Sequence, residues 1–370
     1  MHESEVLHVG AGLIFGGVES FLASIGRHSV RTKPDFVLSA RGRLETELGL
    51  MGRTVRVLPP ARISRPLQVW RARKVFGRIL EKGQYPLAVF HSAWMQILFG
   101  PVLRRYRIPL VVWIHGVNGD KLWLEKLAQR QRPIHVLTAS RHLSESVRDW
   151  YPDVPRSVIG IPVVAPVRLS VEGRALIRRE LGALPEDAVV IISCRLDSWK
   201  GHEFLFRALA EVRSGNQWKL WVVGGGQEPG DANRRCLLEL LVHELGLADR
   251  IRFLGHRDDV WKLLQAADIH CQPNSGPEPC GIAFVEALYA EIPVISTSIG
   301  GALEIVTSDC GILVPPRDSV ALASALTCLI ENLELRRSLG SAGPSRARLL
   351  CDPDRQVADI ERVLLSCLGL

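Results

Sequence analysis

The sequence predicts an α/β protein of two Rossmann-like, doubly wound parallel-sheet domains that face each other across a cleft. Three observations carry this. The chain has 370 residues, too many for one small core, so two domains are the natural division. Short apolar runs alternate with helix-period segments along most of it, the pattern of repeated βαβ units. The alternation lapses once, in the proline-punctuated stretch "SVIGIPVVAPVRLS", and then restarts. The expected domains are residues 1–165 and 166–351.

The elements follow in order. "EVLHVG" is a short apolar strand that runs into a Gly-rich loop, and the next helix carries Val18, Phe21, Leu22 and Ile25 at helical spacing. "DFVLSA" is the second strand. In "RPLQVWRARKVFGRILEK", Leu67, Trp70, Phe76, Ile79 and Leu80 can face a sheet while Arg71, Arg73, Lys74, Arg78 and Lys82 lie toward solvent. "LAVFHSA", "LVVWIHG" and "PIHVLTAS" are apolar enough to be strands buried on both faces. "SRHLSESVRDW" reads as a helix capped by Ser140. Beyond the linker come "AVVIISCR" (strand), "GHEFLFRALAEV" (helix), "KLWVVGGG" (strand), "RRCLLELLVHELG" (helix), "IRFLG" (strand), "DDVWKLLQAA" (helix) and "DIHCQP" (strand). A helix from Ile282 to Tyr289 and the strand "PVIST" complete the array. In such sheets ligands sit at the carboxyl ends of the strands, so the cleft is the expected site.

Composition narrows the function. The chain is 47% hydrophobic and 23% charged, as in a soluble globular protein. No apolar run approaches the roughly 20 residues of a membrane span, and "MHESEVLHVGAG" lacks the basic and apolar regions of a signal peptide. All eight cysteines lie from Cys194 onward, without a CxxC pair or zinc-like spacing, which suits buried thiols in a reducing cytosol. The net charge of +7 is uneven: residues 1–165 hold 24 Lys and Arg against 12 Asp and Glu, the remainder 22 against 27.

Three loops carry chemistry. "GAGLIFGGVES" opens the first helix with glycines that let backbone N–H groups approach a phosphate. The spacing of Gly10, Gly12 and Gly16 is not GxGxxG, and "SARG" offers no acid for a ribose diol. Arg41 can instead meet a 2′-phosphate, so NADP binding and a purely structural turn both stay open. In "RLDSWKGHEF", Arg195 ends a strand and Lys200 precedes a helix. Two cations at a helix N-terminus oppose its dipole unless an anion lies between them, and a diphosphate fits. In "EPCGIAFVEALYAEIPVIST", Glu278 precedes an apolar helix and Glu286 lies inside it, with free N–H groups expected near Gly281, Ile282 and Ala283. Two separated acids suit a sugar on one side and a ribose on the other. The alternatives are solvated surface cations and a salt-bridged helix glutamate.

Together these residues resemble the retaining nucleotide-sugar glycosyltransferases of family GT4 (group 1), which have the GT-B fold. The likeness runs over nearly the whole chain. It rests on Glu278–Pro279–Cys280–Gly281 with Glu286 (an E-x7-E motif), "ALYAEIPVIST", "GGALEIV", "RLDSWKGHEFLFRAL" and "GGVE" at Gly16–Glu19. The resemblance implies that Glu278 contacts the donor sugar and Glu286 the ribose. It implies that Arg195 and Lys200 hold the diphosphate, with Gly16 and Gly17 closing over it. His115 falls where the family places a histidine beside the sugar, and Gly255 and His256 lie beside the base. "DRQVADIERVLLSCL" resembles the last helix, about 352–370, which packs back on the N-terminal domain.

Three departures stand out. Cys280 replaces the usual Phe, Glu291 replaces a helix-ending Gly, so a slightly different cap is expected, and "IGIPVV" lacks the linker's asparagine-glycine. The family is thought to use front-face attack, in which the acceptor hydroxyl enters beside the leaving diphosphate and no metal or other cofactor is needed. Asp352–Pro353–Asp354 looks like a metal-binding DxD but lies near the last helix. The expected partners are a nucleotide-sugar donor and a glycan or lipid-linked acceptor, without nucleic acid. The basic N-terminal half adds an anionic membrane surface, which places a cytoplasmic enzyme on the inner face. A nucleotide-sugar epimerase and a non-catalytic nucleotide-sugar binder are the rival readings.

Overall fold

A computed structural model describes residues 4–12, 16–116, 122–215, 217–225 and 230–370. They form two compact units, Met1–Val164 with Cys351–Leu370, and Ala165–Leu350.

The first unit runs β1 (Ser4–Gly10), α1 (Gly17–His28), β2 (Thr32–Leu38), α2 (Arg43–Leu50), β3 (Val55–Val57), α3 (Pro66–Gly83), β4 (Leu87–Phe90), α4 (Ala93–Arg105), β5 (Leu110–Ile114), α5 (Leu122–Ala128), β6 (His135–Thr138), α6 (Arg141–Ser146) and β7 (Arg156–Val158). Its seven strands are ordered β3-β2-β1-β4-β5-β6-β7 and every pair is parallel. The order reverses between β1 and β4, the switch point at which doubly wound sheets open a crevice. β4 and β5 are buried along their whole length, as strands with helices on both faces must be.

The second unit runs α7 (Val171–Glu180), β8 (Ala188–Ser193), α8 (His202–Ala210), β9 (Trp218–Val223), α9 (Asp231–Glu244), β10 (Ile251–Gly255), α10 (Val260–Ala266), β11 (Ile269–Gln272), α11 (Ile282–Tyr289), β12 (Val294–Thr297), α12 (Ala302–Ile305), β13 (Gly311–Val314), α13 (Ser319–Glu331) and α14 (Leu333–Cys351). Its parallel sheet is ordered β10-β9-β8-β11-β12-β13, with the switch between β8 and β11. Trp218, Trp221, Phe206 and the aliphatic face of β8 fill its core.

The chain ends in α15 (Pro353–Ser366), which belongs to the first unit. The carboxylate of Glu361 there is buried. One of its oxygens accepts the N–H groups of Val30, Arg31 and Thr32 and the Thr32 hydroxyl, at 2.8–3.1 Å. Asp352 caps α15 through the Arg355 N–H, 3.0 Å away, and Asp354 lies 2.8 Å from His28. One acid of the DxD-like string therefore caps the helix, and the other ties α15 to the end of α1.

Several expectations change. "SRHLSESVRDW" is a short α6, with Ser140 accepting the Leu143 N–H at 3.1 Å, followed by a 3-10 turn at Arg148–Trp150. β7 overlaps the start of the stretch read as linker, because three residues paired to β6 leave no apolar run to recognise. In α3, Leu67 and Trp70 are exposed rather than packed on a sheet. Arg73 turns inward and donates to the carbonyls of Leu98 and Ile97, at 2.6 and 3.2 Å. Pro101 inside α4 explains this: it has no N–H, so the Ile97 carbonyl four residues earlier loses its helical donor. Glu291 does adopt a left-handed conformation, φ 60°. The chain must reverse there to enter β12, and Gly340 packs so tightly that a Cβ would lie 2.1 Å from the Glu291 carbonyl oxygen. The strain costs about 1–2 kcal/mol.

Candidate active site

In the second unit, the loops after β8 and β11 close on each other. Gly201, at φ 82°, caps α8, and a Cβ there would lie 1.9 Å from the Pro273 carbonyl oxygen. Only glycine permits that approach. The Ser275 N–H reaches the Trp199 carbonyl at 2.8 Å. This brings Lys200 and Glu278 together, 78 positions apart in sequence, with Nζ 2.7 Å from Oε2. Both side chains are about nine-tenths buried. The same oxygen accepts the amides of Gln272 (3.0 Å) and Asn274 (2.9 Å). Lys200 also lies over the Trp199 ring, 4.1 Å from its centroid. Removing two charges from water costs several kcal/mol each, and only such saturation offsets it.

The backbone of Glu278 is equally fixed. It bridges to Gly300, and its carbonyl accepts the Gly301 N–H at 2.7 Å. Ser296 and Thr297 of β12 hold the carbonyls of Gln272 and Asn274, at 2.9 and 2.7 Å. His270 is wholly buried, and burial together with nearby Lys200 lowers its pKa to about 3, so it is neutral.

Gly281 is the left-handed N-cap of α11, φ 65°, and its N–H points at Oε1 of Glu278 from 3.4 Å. The N–H groups of Ile282 and Ala283 have no acceptor among the described residues, so the free donors begin one residue later than the sequence suggested. Glu286, one turn into α11, receives no hydrogen bond or ion pair among the described residues. Burial raises its carboxyl to about 7. Arg195 is largely exposed and pairs with Asp197 at 2.7 Å. Each of the two cations thus has an acid: Asp197 is local to Arg195, and Glu278 reaches Lys200 only through the fold. Gly255 ends β10 at φ 66°, its carbonyl held by the Gly224 N–H at 2.8 Å, and the next residue, His256, is about half exposed.

In the first unit, Gly16 is the N-cap of α1 and both Gly16 and Gly17 are exposed. Glu19, buried, accepts the Gly16 N–H at 3.1 Å and so ties the loop to the helix. Burial raises its pKa against the hydrogen bonds it accepts. Leu13, Ile14 and Phe15 of this loop lie outside the described residues. Arg41, two residues ahead of α2, pairs with Glu45 of that helix, 3.0 Å away. His115 follows β5, half-buried, with Nε2 3.2 Å from Nδ1 of His91. Burial lowers its pKa to about 3.

Sequence reasoning passed over Gln272, Asn274, His91 and His8. The first pair had a signal: two amides at alternate positions in "HCQPNSGPEP", at and just beyond the end of a buried strand. Among the described residues no three His, Cys, Asp or Glu side chains are arranged to hold a metal ion, and no helix is long and apolar enough to cross a membrane.

Residues 173–346 match the family model of glycosyl transferases group 1, and residues 15–162 that of Glycosyltransferase Family 4. An uncharacterized glycosyltransferase of Methanocaldococcus jannaschii is 33% identical over 265 residues, 66% of each chain. The phosphatidyl-myo-inositol mannosyltransferase of Mycobacterium leprae is 30% identical over 277 residues, 73% of this chain and 71% of that one. The crystal structure of Anabaena Alr3699/HepE with UDP-glucose superposes with a TM-score of 0.87 at 24% identity, covering 98% of this chain and 99% of the other. With two parallel-sheet units, this architecture and these matches, the chain belongs to the group 1, family 4 type of glycosyltransferases of the GT-B fold.

Proposed function

We propose that this glycosyltransferase is a retaining enzyme that moves a hexosyl group from a UDP- or GDP-sugar to a hydroxyl of a lipid-linked or glycan acceptor, in envelope or exopolysaccharide synthesis. The observation that carries the reading is the donor-rich end of the second unit's sheet. There a saturated Lys200–Glu278 pair, exposed Arg195 and two free N–H groups of α11 lie on adjoining strand ends. Arg195 and the N–H groups of Ile282 and Ala283 suit a leaving diphosphate, and fixed donors stabilise the charge that grows there. Lys200 adds its field while holding Glu278. The open oxygen of Glu278 faces sugar hydroxyls, and Glu286 takes the ribose. Gly16, Gly17 and His115 serve the donor from the first unit, and Gly255 and His256 the base. In front-face transfer the acceptor hydroxyl gives its proton to the departing phosphate oxygen, without a metal. The Anabaena structure holds UDP-glucose, and the mycobacterial relative is named for a lipid acceptor, which supports these two classes.

A thermal-shift screen of UDP, GDP and ADP tests the donor. One diphosphate should raise the melting temperature, and Glu286→Ala should abolish the rise. No shift with any of the three would remove the nucleotide-sugar reading. Product analysis by NMR should show retention at the anomeric carbon.

For a lipid-linked acceptor the structure offers a surface. Ile63, Leu67 and Trp70 are exposed at the start of α3, Lys74 lies 5.2 Å from the Trp70 ring, and Arg62, Arg65, Arg71 and Arg78 are exposed around them. An aromatic and aliphatic edge among cations suits anionic headgroups, each cation adding about 1 kcal/mol. Co-sedimentation should rise with phosphatidylglycerol and fall by about 0.5 M salt, where screening is strong. Vesicle binding unchanged in the Leu67→Ser, Trp70→Ser protein would exclude this face.

A further inference from the structure

Two amides set how Glu278 presents its carboxylate. Gln272 ends β11 and Asn274 lies two residues beyond it, both wholly buried. They meet each other as well as Glu278. Nε2 of Gln272 lies 3.0 Å from Oδ1 of Asn274 and 3.0 Å from Oε2 of Glu278, and Nδ2 of Asn274 lies 2.9 Å from the same Oε2. The three side chains close a triangle.

Chemistry fixes which end of each amide faces which neighbour. A carboxylate oxygen only accepts, so both groups that touch Oε2 must be amide nitrogens. The Asn274 oxygen then faces Gln272, whose nitrogen gives one hydrogen to it and the other to Glu278. Turning either amide over would set oxygen against oxygen. The arrangement leaves Oε1 of Gln272 buried, with no donor among the described residues. An aliphatic side chain would avoid that cost, so the two bonds of the Gln272 nitrogen are what its amide supplies.

Lys200 cannot orient the carboxylate alone. Its ammonium is a compact charge on a flexible stem, able to meet either oxygen. The amides are planar and their backbones are pinned, since Ser296 and Thr297 hold the carbonyls of Gln272 and Asn274. With Lys200 at 2.7 Å, Oε2 receives three donors, while Oε1 receives only the long Gly281 contact of 3.4 Å. A carboxylate has about four acceptor positions, so the capacity that remains lies on Oε1.

We infer that Gln272 and Asn274 are positioning residues that lock Oε2 of Glu278 onto Lys200 and leave Oε1 as the acceptor, so that the site selects a donor sugar whose hydroxyl donates a hydrogen bond there. The inference rests on the reading that Glu278 contacts the donor sugar. A substituent of hydroxyl size that cannot donate sets its own lone pairs against the carboxylate and is rejected.

Gln272→Met and Asn274→Leu keep the volume and remove the amides. Crystal structures of the two variants should show the Glu278 carboxylate turned from its place, a result that needs no substrate. A carboxylate unmoved in either variant would overturn the inference. UDP-glucose and GDP-mannose, with fluorine in place of the hydroxyl at carbon 3, 4 or 6, then serve as probes, read by diphosphate release. Wild type should reject one position by about 100-fold or more in kcat/KM. In the variants the parent sugar should lose on the order of 10-fold to 100-fold, and the rejection should shrink by about 10-fold or more. A merely structural loss would slow all analogues alike. Rejection unchanged in the variants would therefore overturn the inference and leave Glu278 as the sugar's ligand. No rejected position in wild type would remove that reading of Glu278, and the inference with it. Free UDP or GDP should raise the melting temperature of the variants as it does that of wild type. If both variants lose that response, the amides hold the loop's fold rather than aim one side chain, and the inference fails.

Discussion

The two units bury polar chemistry in opposite ways. In the first, three histidines sit among aromatic rings and shed their charge, leaving a row that only hydrogen bonds order. In the second, Lys200 and Glu278 meet at 2.7 Å about nine-tenths buried, with Gln272 and Asn274 on the same oxygen. Histidine can become neutral near physiological pH at small cost, so burial alone decides its state. A lysine–glutamate pair stays charged only where donors already point at it. Neutral rows are therefore built from packing, and charged sites from loops that converge. Glu286 shows the intermediate case: it is held without donors eight residues beyond Glu278, and its pKa rises to about 7.

Breaking the charged half should have the largest effect. Lys200→Ala strands a buried carboxylate and should cost about 3–5 kcal/mol of stability, read as a lower denaturant midpoint. The Lys200→Met, Glu278→Gln double variant should recover most of that stability and remain inactive. A single variant as stable as wild type would mean that the pair is not the buried, mutually dependent unit described.

Next comes the exposed cation. Arg195→Ala should change stability by under about 1 kcal/mol, as for other exposed pairs. It should raise the transfer barrier by roughly 2–4 kcal/mol if Arg195 holds the leaving group. The contrast between Arg195 and Lys200 is the test. Equal losses of stability would erase the distinction between an exposed ligand-facing cation and a buried structural one.

A third test turns on pH and Glu286. Its folded carboxyl titrates near 7 against an ordinary 4.5. The folded chain thus keeps a proton that the unfolded chain releases across that window. This group makes stability fall as pH rises from 4.5 to 7 and adds nothing further above it. Glu286→Gln should flatten that slope in urea titrations across the window. Affinity for the diphosphate found by the screen should rise with pH toward 8, because ribose hydroxyls donate to the ionised carboxylate, and should be level in the glutamine variant. A wild-type affinity independent of pH would mean that Glu286 is not the ribose ligand.

The sequence by itself determined most of the sheets, because parallel strands buried on both faces leave short continuous apolar runs, such as "AVVIIS" and "LVVWI", that alternate with helix-period segments. It also marked the site loops, because helix N-termini, glycines at forced backbone angles and lone acids are local features. The short edge strands β3, β7 and β13 escaped it, since edge strands have too little buried surface to leave a pattern. So did the inward turn of Arg73, which answers a carbonyl freed by Pro101 some 28 positions away. Only the tertiary structure decided which partners meet. Lys200 finds Glu278, and His115 finds His91 and His8, through strand order, and strand order is set by how whole sheets wind. A charge or a tautomer depends on what lies within about 3 Å, and no local pattern carries that information across eighty residues.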